Sequence, residues 1–573
     1  MKQLAIIGMG PRGLYALERL LLELSKQQLE IGLHIFDATH CPGTGTVWDM
    51  SQPDSNWINI TERALVGIER RQAISYAGCT IPEFPSYHDW CNYDQGFYAP
   101  DTFPPRQKIG HYLNARYMSI AKALEHLKTF QSYNEEIIDL KPKGERLDII
   151  GNDKQWVCDA LVLTVGHQST VLSNQLESWT SHVAKYHTPQ LFDATYPITQ
   201  LERLKNEMEI TVGIRGFGLA MIDVMRYLTI NNFGNFKVID PSTFETVYYK
   251  TQAQGLKIVP FSLDGLPLVP KPLNEAIDVK YQPTDEELEH FKTEIEAVSQ
   301  SDSAVSHLDF LMRPIAQISA RVYLELKDEA QLHHLNRSEL ESVVIHWLKH
   351  EDYKHHLLLD HKTEVYQQIK TYTGMALGDT LVSLDYCIGQ VWRHCQPTLY
   401  KAFSHAKVDE SIIKEVIALD ERSKRYSYGP PIESMQQVLA LVDADVLNLD
   451  YVNNPKITLT PKGWNLENNA ETTISCSAMV NSVLDAPQLL KVNTPLIKNL
   501  LEDDLIQPIH SALGIETTSE GFVKTPHKDD DLAIAVLGRL AKGSVIGVDA
   551  ILECFGPRIE TWAKAQVKRL SSN

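Results

Sequence analysis

"LAIIGMGPRGLYALERL" occupies residues 4–20, and its reading decides the fold of the N-terminal region. Leu4–Ile7 is an unbroken apolar run that stops at Gly8, the form of a short buried strand. After Gly13, Leu14, Leu17, Leu21 and Leu24 recur at three- and four-residue steps, which line one face of a helix. The G-x-G-x-x-G of Gly8, Gly10 and Gly13 therefore falls between a strand and a helix N-terminus. In that position Gly8 allows a tight turn, Gly10 lets backbone amides approach a pyrophosphate, and Gly13 lets the helix pack closely. The helix dipole then faces the phosphate charge.

The second half of the unit is present. "GLHIFDA" reads as a strand ending in Asp37, 24 residues beyond Gly13, where a carboxylate meets a ribose hydroxyl pair. Gly8, Gly10, Pro11, Gly13 and Asp37 are thus candidate dinucleotide contacts.

The bulk numbers set the frame. At 573 residues the chain is long enough for two to four domains, and 43% hydrophobic with 22% charged residues fits a globular protein. A net charge of −19 argues against a nucleic-acid surface and against adsorption to anionic lipid, while leaving room for a local cationic pocket. Eight cysteines without a C-x-x-C pair form neither a disulfide framework nor a zinc pattern, so a reducing cytoplasm is the expected location. The first strand begins about three residues in, which leaves no expected signal peptide, and no apolar run reaches transmembrane length.

Three further stretches bear on which dinucleotide binds: "CPGTGTVWDM" (41–50), "NWINITERAL" (56–65) and "TFPPRQKIGHYLNARY" (102–117). With them the sequence resembles a FAD/NAD(P)-binding family of long bacterial flavoproteins, relatives of the flavin-dependent N-hydroxylating monooxygenases. In that family a G-x-G-x-x-W/Y loop follows the ribose carboxylate, an Asn-containing segment lies near the flavin, and an F-x-P-R…G-x-Y-L pattern follows. These match Gly43, Gly45 and Trp48, then Asn59, then Phe103, Pro105, Arg106, Gly110, Tyr112 and Leu113. Trp48 either stacks near the isoalloxazine or packs as an ordinary core residue. Arg106 meets a cofactor phosphate, an acidic substrate or a structural carboxylate; all three suit a guanidinium. The strand "DALVLTVGHQS" (159–169) ends in Thr164-Val165-Gly166, where the resemblance implies that Gly166 lies beside the adenosine half of FAD.

"EITVGIRGFGLAMIDVMRYL" (209–228) repeats the logic of the N-terminus. A strand at Ile210–Ile214 meets Arg215, Gly216 and Gly218, and the helical pattern Leu219, Ile222, Met225 and Leu228 follows. Met221 replaces the third small residue, but R-G-x-G-L-A-x-x-D is similar to a family stretch. The resemblance implies FAD at the first turn and NADPH or NADH at the second, with Arg215, Gly216 and Gly218 as its contacts. The alternative is a Rossmann-like turn that holds no cofactor. A family pattern S-R-x-G-x-P matches Ser262, Gly265 and Pro267, with Leu263 in place of the usual Arg.

From about 276 the composition turns helical, opening on Pro283 and on Thr284 as an N-cap, and continuing to about 427. His333/His334 and His355/His356 lack a metal constellation and fit solvated helix faces. Near the C-terminus a strand at Ala533–Leu537 ends in Gly538-Arg539, where two-dinucleotide flavoproteins often carry Gly-Asp against the flavin. The partial pattern Leu176, Ser178, His182 and Tyr186 reads better as one face of a surface helix than as an N-monooxygenase fingerprint.

The expected fold is α/β: a FAD-binding domain (1–208), a partial NAD(P)-binding domain (209–275), a mainly helical domain (276–500) and a return to the FAD domain (501–573). The resemblance implies a monooxygenase that oxygenates the amine of a small amino acid such as aspartate through a flavin hydroperoxide. A flavin dehydrogenase or oxidase, or a flavin-binding sensor, uses the same turns. No acid, base or other catalytic residue stands out. The helical stretch serves equally as a substrate lid or as the surface of a homo-oligomer.

Overall fold

The computed structural model describes residues 1–251, 255–300, 305–350, 352–484, 486–526 and 533–572. Its parallel strands are β1 (Gln3–Ile7), β2 (Gly32–Phe36), β3 (Phe130–Tyr133), β4 (Ala160–Leu163), β5 (Gln190–Phe192), β6 (Glu209–Arg215), β7 (Gly255–Phe261), β8 (Ala478–Asn481) and β9 (Ile534–Val536). They form two sheets, ordered β9-β4-β1-β2-β3 and β5-β8-β6-β7. The first is the strand order of a Rossmann-type half with one further strand at its edge.

In the first sheet, Leu4 of β1 stands level with Leu33 of β2 and Ala160 of β4. This register brings the ends of three strands to one edge, so Gly8, Asp37 and Thr164 meet there. Leu4, Ala5 and Ile6 are fully buried, as a central parallel strand covered on both faces requires. Helix α1 (Pro11–Gln27) begins with Pro11 in its first turn and buries Leu14, Leu17, Leu21 and Leu24, the face read from the sequence. It packs against the C-terminal helix Pro557–Ser572. Its buried Glu18 accepts from Arg116 Nη2 at 2.7 Å and Arg71 Nη1 at 3.0 Å. Arg116 lies on α2 (Arg106–Leu124), so this ion cluster ties α2 to the first turn's own helix.

Each parallel sheet receives a strand through an antiparallel meander. Residues 137–158 form one between β3 and β4, and residues 456–476 form the other ahead of β8. In the second sheet β6 leads into α3 (Leu219–Thr229), and β7 returns parallel beside β6. Between β7 and β8 lies the helical region, whose largest helices include α4 (Leu384–Phe403) and α5 (Glu410–Ser427), followed by α6 (Ile432–Asp443). Thr284 caps the helix Asp285–Ser299 in a capping box with Glu287, as its start signal predicts.

Strand β8 and the second meander fall inside the range 276–500 that the sequence marks as mainly helical. Ala478–Asn481 is four buried residues long, and a run that short carries no period to tell a strand from a helix. Near the C-terminus Ile534–Val536 forms β9, which pairs parallel with β4. Among the described residues no helix is long and apolar enough to cross a membrane.

Candidate dinucleotide site

The first turn is built by close backbone approach. Gly8 has φ +93°, and a Cβ there would sit 2.8 Å from the Thr164 carbonyl oxygen. A Cβ on Gly13 would sit 2.3 Å from the Gly8 carbonyl oxygen. Thr164 also donates its hydroxyl to that Gly8 oxygen, locking β4 to the turn. Gly10 differs: the nearest atom to a Cβ there is Gly45 Cα at 3.7 Å, so its flank is open. It is the N-cap of α1, and Leu14 N–H makes the first helical bond to its carbonyl at 2.9 Å. The amides ahead of Leu14 have no intrahelical acceptor, which makes the turn a cradle for an anion.

Asp37 follows β2 at the same edge and is 5% exposed. Its Oδ1 accepts from Thr39 N–H at 2.8 Å. Its Oδ2 is buried with no hydrogen-bond partner among the described residues. Burial raises the carboxyl above the usual carboxylate range. An orphaned acceptor costs free energy until a donor reaches it, and a ribose hydroxyl pair is a fitting donor set. The residues present therefore fit an adenosine dinucleotide.

The remaining candidates of the first domain lie around this edge. Gly45 stands over Gly10, and the carbonyl of Trp48 lies where a Cβ on Gly110 of α2 would meet it, at 1.9 Å. The Trp48 ring packs half-buried against the core beneath α1. Gly166 has open space on its Cβ side. Gly538 returns beside Arg12: a Cβ there would sit 2.4 Å from Arg12 Nη1. Arg539, in the place of the expected Asp, pairs with Asp549 at 2.7 Å.

Asn59 and Arg106 are each held by partners from other elements. Asn59 Nδ2 donates to the Tyr428 carbonyl at 3.1 Å, and its own carbonyl accepts from Lys271 Nζ at 2.6 Å. Arg106 Nη2 donates to Asp223 Oδ2 at 2.6 Å, and Tyr196 donates its hydroxyl to the same oxygen. Of the three partners open to Arg106 in the sequence, the structure supplies the carboxylate of α3.

The second turn repeats the first. Gly216 has φ +121°, and a Cβ there would press 3.0 Å from the Ser482 carbonyl carbon. Gly218 caps α3 and has nothing within 4 Å of a Cβ, the same open flank as Gly10. Met221, in the third position, is buried in the apolar core that covers the second sheet. Arg215 is held by Asn481 Oδ1 at 2.8 Å and Gln175 Oε1 at 2.9 Å. Leu263 is 86% exposed in the loop after β7.

His182 lies on the helix Asn174–Tyr186, read from the sequence as a surface helix, and its Nε2 donates to the Thr460 carbonyl at 2.8 Å. Among the described residues no group of three or more His, Cys, Asp or Glu is placed to hold a metal ion. Asp223, the Asp of the R-G-x-G-L-A-x-x-D stretch, completes the Arg106 pair, a partnership that sequence reasoning did not assign. Sequence reasoning also missed Lys271, whose signal was a lone cation inside the apolar, proline-flanked "LVPKPL".

Comparison with known proteins agrees with this geometry. Residues 5–168 match the family model of FAD-NAD(P)-binding domains. The chain is 27% identical over 297 residues to an L-aspartate N-monooxygenase (nitrosuccinate-forming) of Streptomyces davaonensis, an overlap of 45% of this chain and 44% of that protein. It is 26% identical over 238 residues to a nitrosuccinic acid synthase of Aspergillus oryzae, an overlap of 40% of this chain and 36% of that protein. The chain thus spans less than half the length of these relatives.

Proposed function

We propose that this protein is a FAD-dependent, NAD(P)H-using monooxygenase that oxygenates the amine of a small amino acid, with aspartate as the first candidate. The observation that carries the reading is the buried, partnerless Oδ2 of Asp37 at the edge of a glycine turn whose Gly10 flank is open. The partial likeness to an L-aspartate N-monooxygenase and to a nitrosuccinic acid synthase supports the choice of chemistry and of substrate.

The balanced first reaction is amine plus dioxygen plus NAD(P)H plus a proton, giving hydroxylamine, NAD(P)+ and water. FAD, when bound, supplies hydride acceptance and oxygen activation. The chain's own residues do the rest. Asp37 Oδ2 accepts from the ribose hydroxyls, and the first-turn amides of α1 face the pyrophosphate. The loop carrying Gly45 and Trp48 closes over Gly10. At the second turn the amides behind Gly218 face the pyrophosphate of the nicotinamide dinucleotide. The Arg106–Asp223 pair joins α2 to α3 and so holds the two dinucleotide domains together.

Turnover of L-aspartate under isotopically labelled dioxygen tests the reading. The expected result is label on the product nitrogen, read by mass spectrometry. NAD(P)H consumption with label only in hydrogen peroxide or water would move the protein to the oxidases.

A further inference from the structure

A second concave site lies where α6 meets the segment before α2. It is a cavity of about 230 Å³ lined by Thr102, Phe103, Phe244, Lys271, Ile432 and Glu433. That is below the roughly 300 Å³ at which pockets for drug-sized ligands begin, so it suits a small metabolite. It adjoins residues of the proposed flavin region, because Lys271 holds the carbonyl of Asn59 and Phe103 opens the stretch that ends in Arg106.

Lys271 is 7% exposed, and its Nζ donates to two carbonyl oxygens, Asn59 and Gly429, both at 2.6 Å. When an arriving anion holds the group in its charged form, the ammonium has three donors, so one remains beyond these two carbonyls. The nearby carboxylates are already neutralised. Asp101 pairs with Arg63 at 3.0 Å, and Asp278 is shared by Arg63, Arg393 and His394. Lys271 thus has no carboxylate of its own, and burial drives it well below the usual lysine range. Such a group gains most from an anion that arrives in the adjoining space. The opening turn of α6 reinforces this: Ile432 and Glu433 lie at a helix N-terminus that faces the cavity. No hydrogen bond is recorded for the Glu433 side chain among the described residues; burial raises its carboxyl, and the charge of Arg226 offsets part of that rise.

We propose that this cavity seats the substrate, taking a small amino acid whose carboxylate meets Lys271 Nζ and whose amine meets Glu433. The inference rests on the amine-oxygenating reading above and adds the site and the charge pattern that select the substrate. A carboxylate acceptor for the amine also suits the chemistry, since an amine must shed its proton before its nitrogen can be oxygenated.

Isothermal titration of the FAD-loaded full chain tests it, with L-aspartate, L-alanine and the amine-free succinate as probes. The expected result is saturable binding of at least one of the two amino acids and of succinate. Lys271→Met should weaken both kinds of ligand by at least about 30-fold. Glu433→Gln should weaken the amino acid by about tenfold and leave succinate within about twofold. Because Lys271→Met strips two buried carbonyls of their donor, a melting curve accompanies it. If that variant does not fold, the split between amino acid and succinate in Glu433→Gln decides. Binding of neither amino acid by the unaltered chain, or equal effects of Glu433→Gln on both ligand kinds, overturns the proposal. The two readings fail separately. Unchanged KM for aspartate in Lys271→Met with labelled product removes the seat and leaves the monooxygenase. Binding that depends on Lys271 without labelled product does the reverse.

Discussion

Arg106 Nη2 lies 2.6 Å from Asp223 Oδ2, joining the first residue of α2 to α3, the helix that follows the second glycine turn. The Arg106 and Asp223 side chains are 16% and 4% exposed, so water screens the pair weakly. Burial opposes the Arg106 charge, while Asp223 and Tyr196 more than restore it. Removing one member of such a pair strands the other, at a cost of about 3–5 kcal/mol. Asp223→Ala should therefore lower the urea midpoint sharply. Arg106→Met combined with Asp223→Leu should recover much of that loss, which a double-mutant cycle reads directly.

The glycines of the first turn separate folding from binding. Gly10→Val has space in the protein, since the nearest atom to the new Cβ is 3.7 Å away, and its backbone is extended. The variant should melt near the parent temperature yet bind FAD at least about 100-fold more weakly. Gly13→Ala should fail differently. Its Cβ would overlap the Gly8 carbonyl oxygen at 2.3 Å, so stability falls first, as a melting curve will show.

Asp37 gives a pH dependence with a definite sign. Burial raises its carboxyl, and donors from a bound ribose favour the carboxylate, so FAD affinity should fall as pH drops through the range where Asp37 protonates. Asp37→Asn should remove that dependence and weaken FAD by about 10- to 100-fold, the worth of a hydrogen bond to a charged group. Fluorescence titration of FAD across pH checks both.

His405 should govern part of the acid stability. Burial, helped by Arg558, pushes its imidazole down to about 4. Unfolded histidine takes its proton near pH 6.5, so the unfolded chain binds more protons between pH 6.5 and 4. Stability contributed by this group is therefore intact above pH 6.5 and declines by at most about 3 kcal/mol as pH falls to 4. His405→Gln should flatten that slope in urea denaturation curves.

Much of the first domain was legible because its signals are local. Gly8, Gly10 and Gly13 sit between a strand and a helix of clear period, and Asp37 ends the next apolar run. The second turn was equally legible despite Met221, because the side chain in that position simply joins the core. What escaped the sequence depends on distant partners. Asp223 is 117 residues from Arg106, and no spacing rule links them. Lys271 acquires its meaning from carbonyls at Asn59 and Gly429, two loops that only the folded chain brings together. Strand β8 was hidden by length alone.

The proposed reaction requires FAD at the first turn and a reduced nicotinamide dinucleotide at the second to pass hydride to it. The most direct measurement is the anaerobic visible spectrum of the FAD-loaded protein as NADPH, then NADH, is added. The account predicts that the oxidised flavin bands bleach with at least one of them, and that Gly218→Val slows this while FAD stays bound. A flavin spectrum indifferent to both nicotinamides would contradict it.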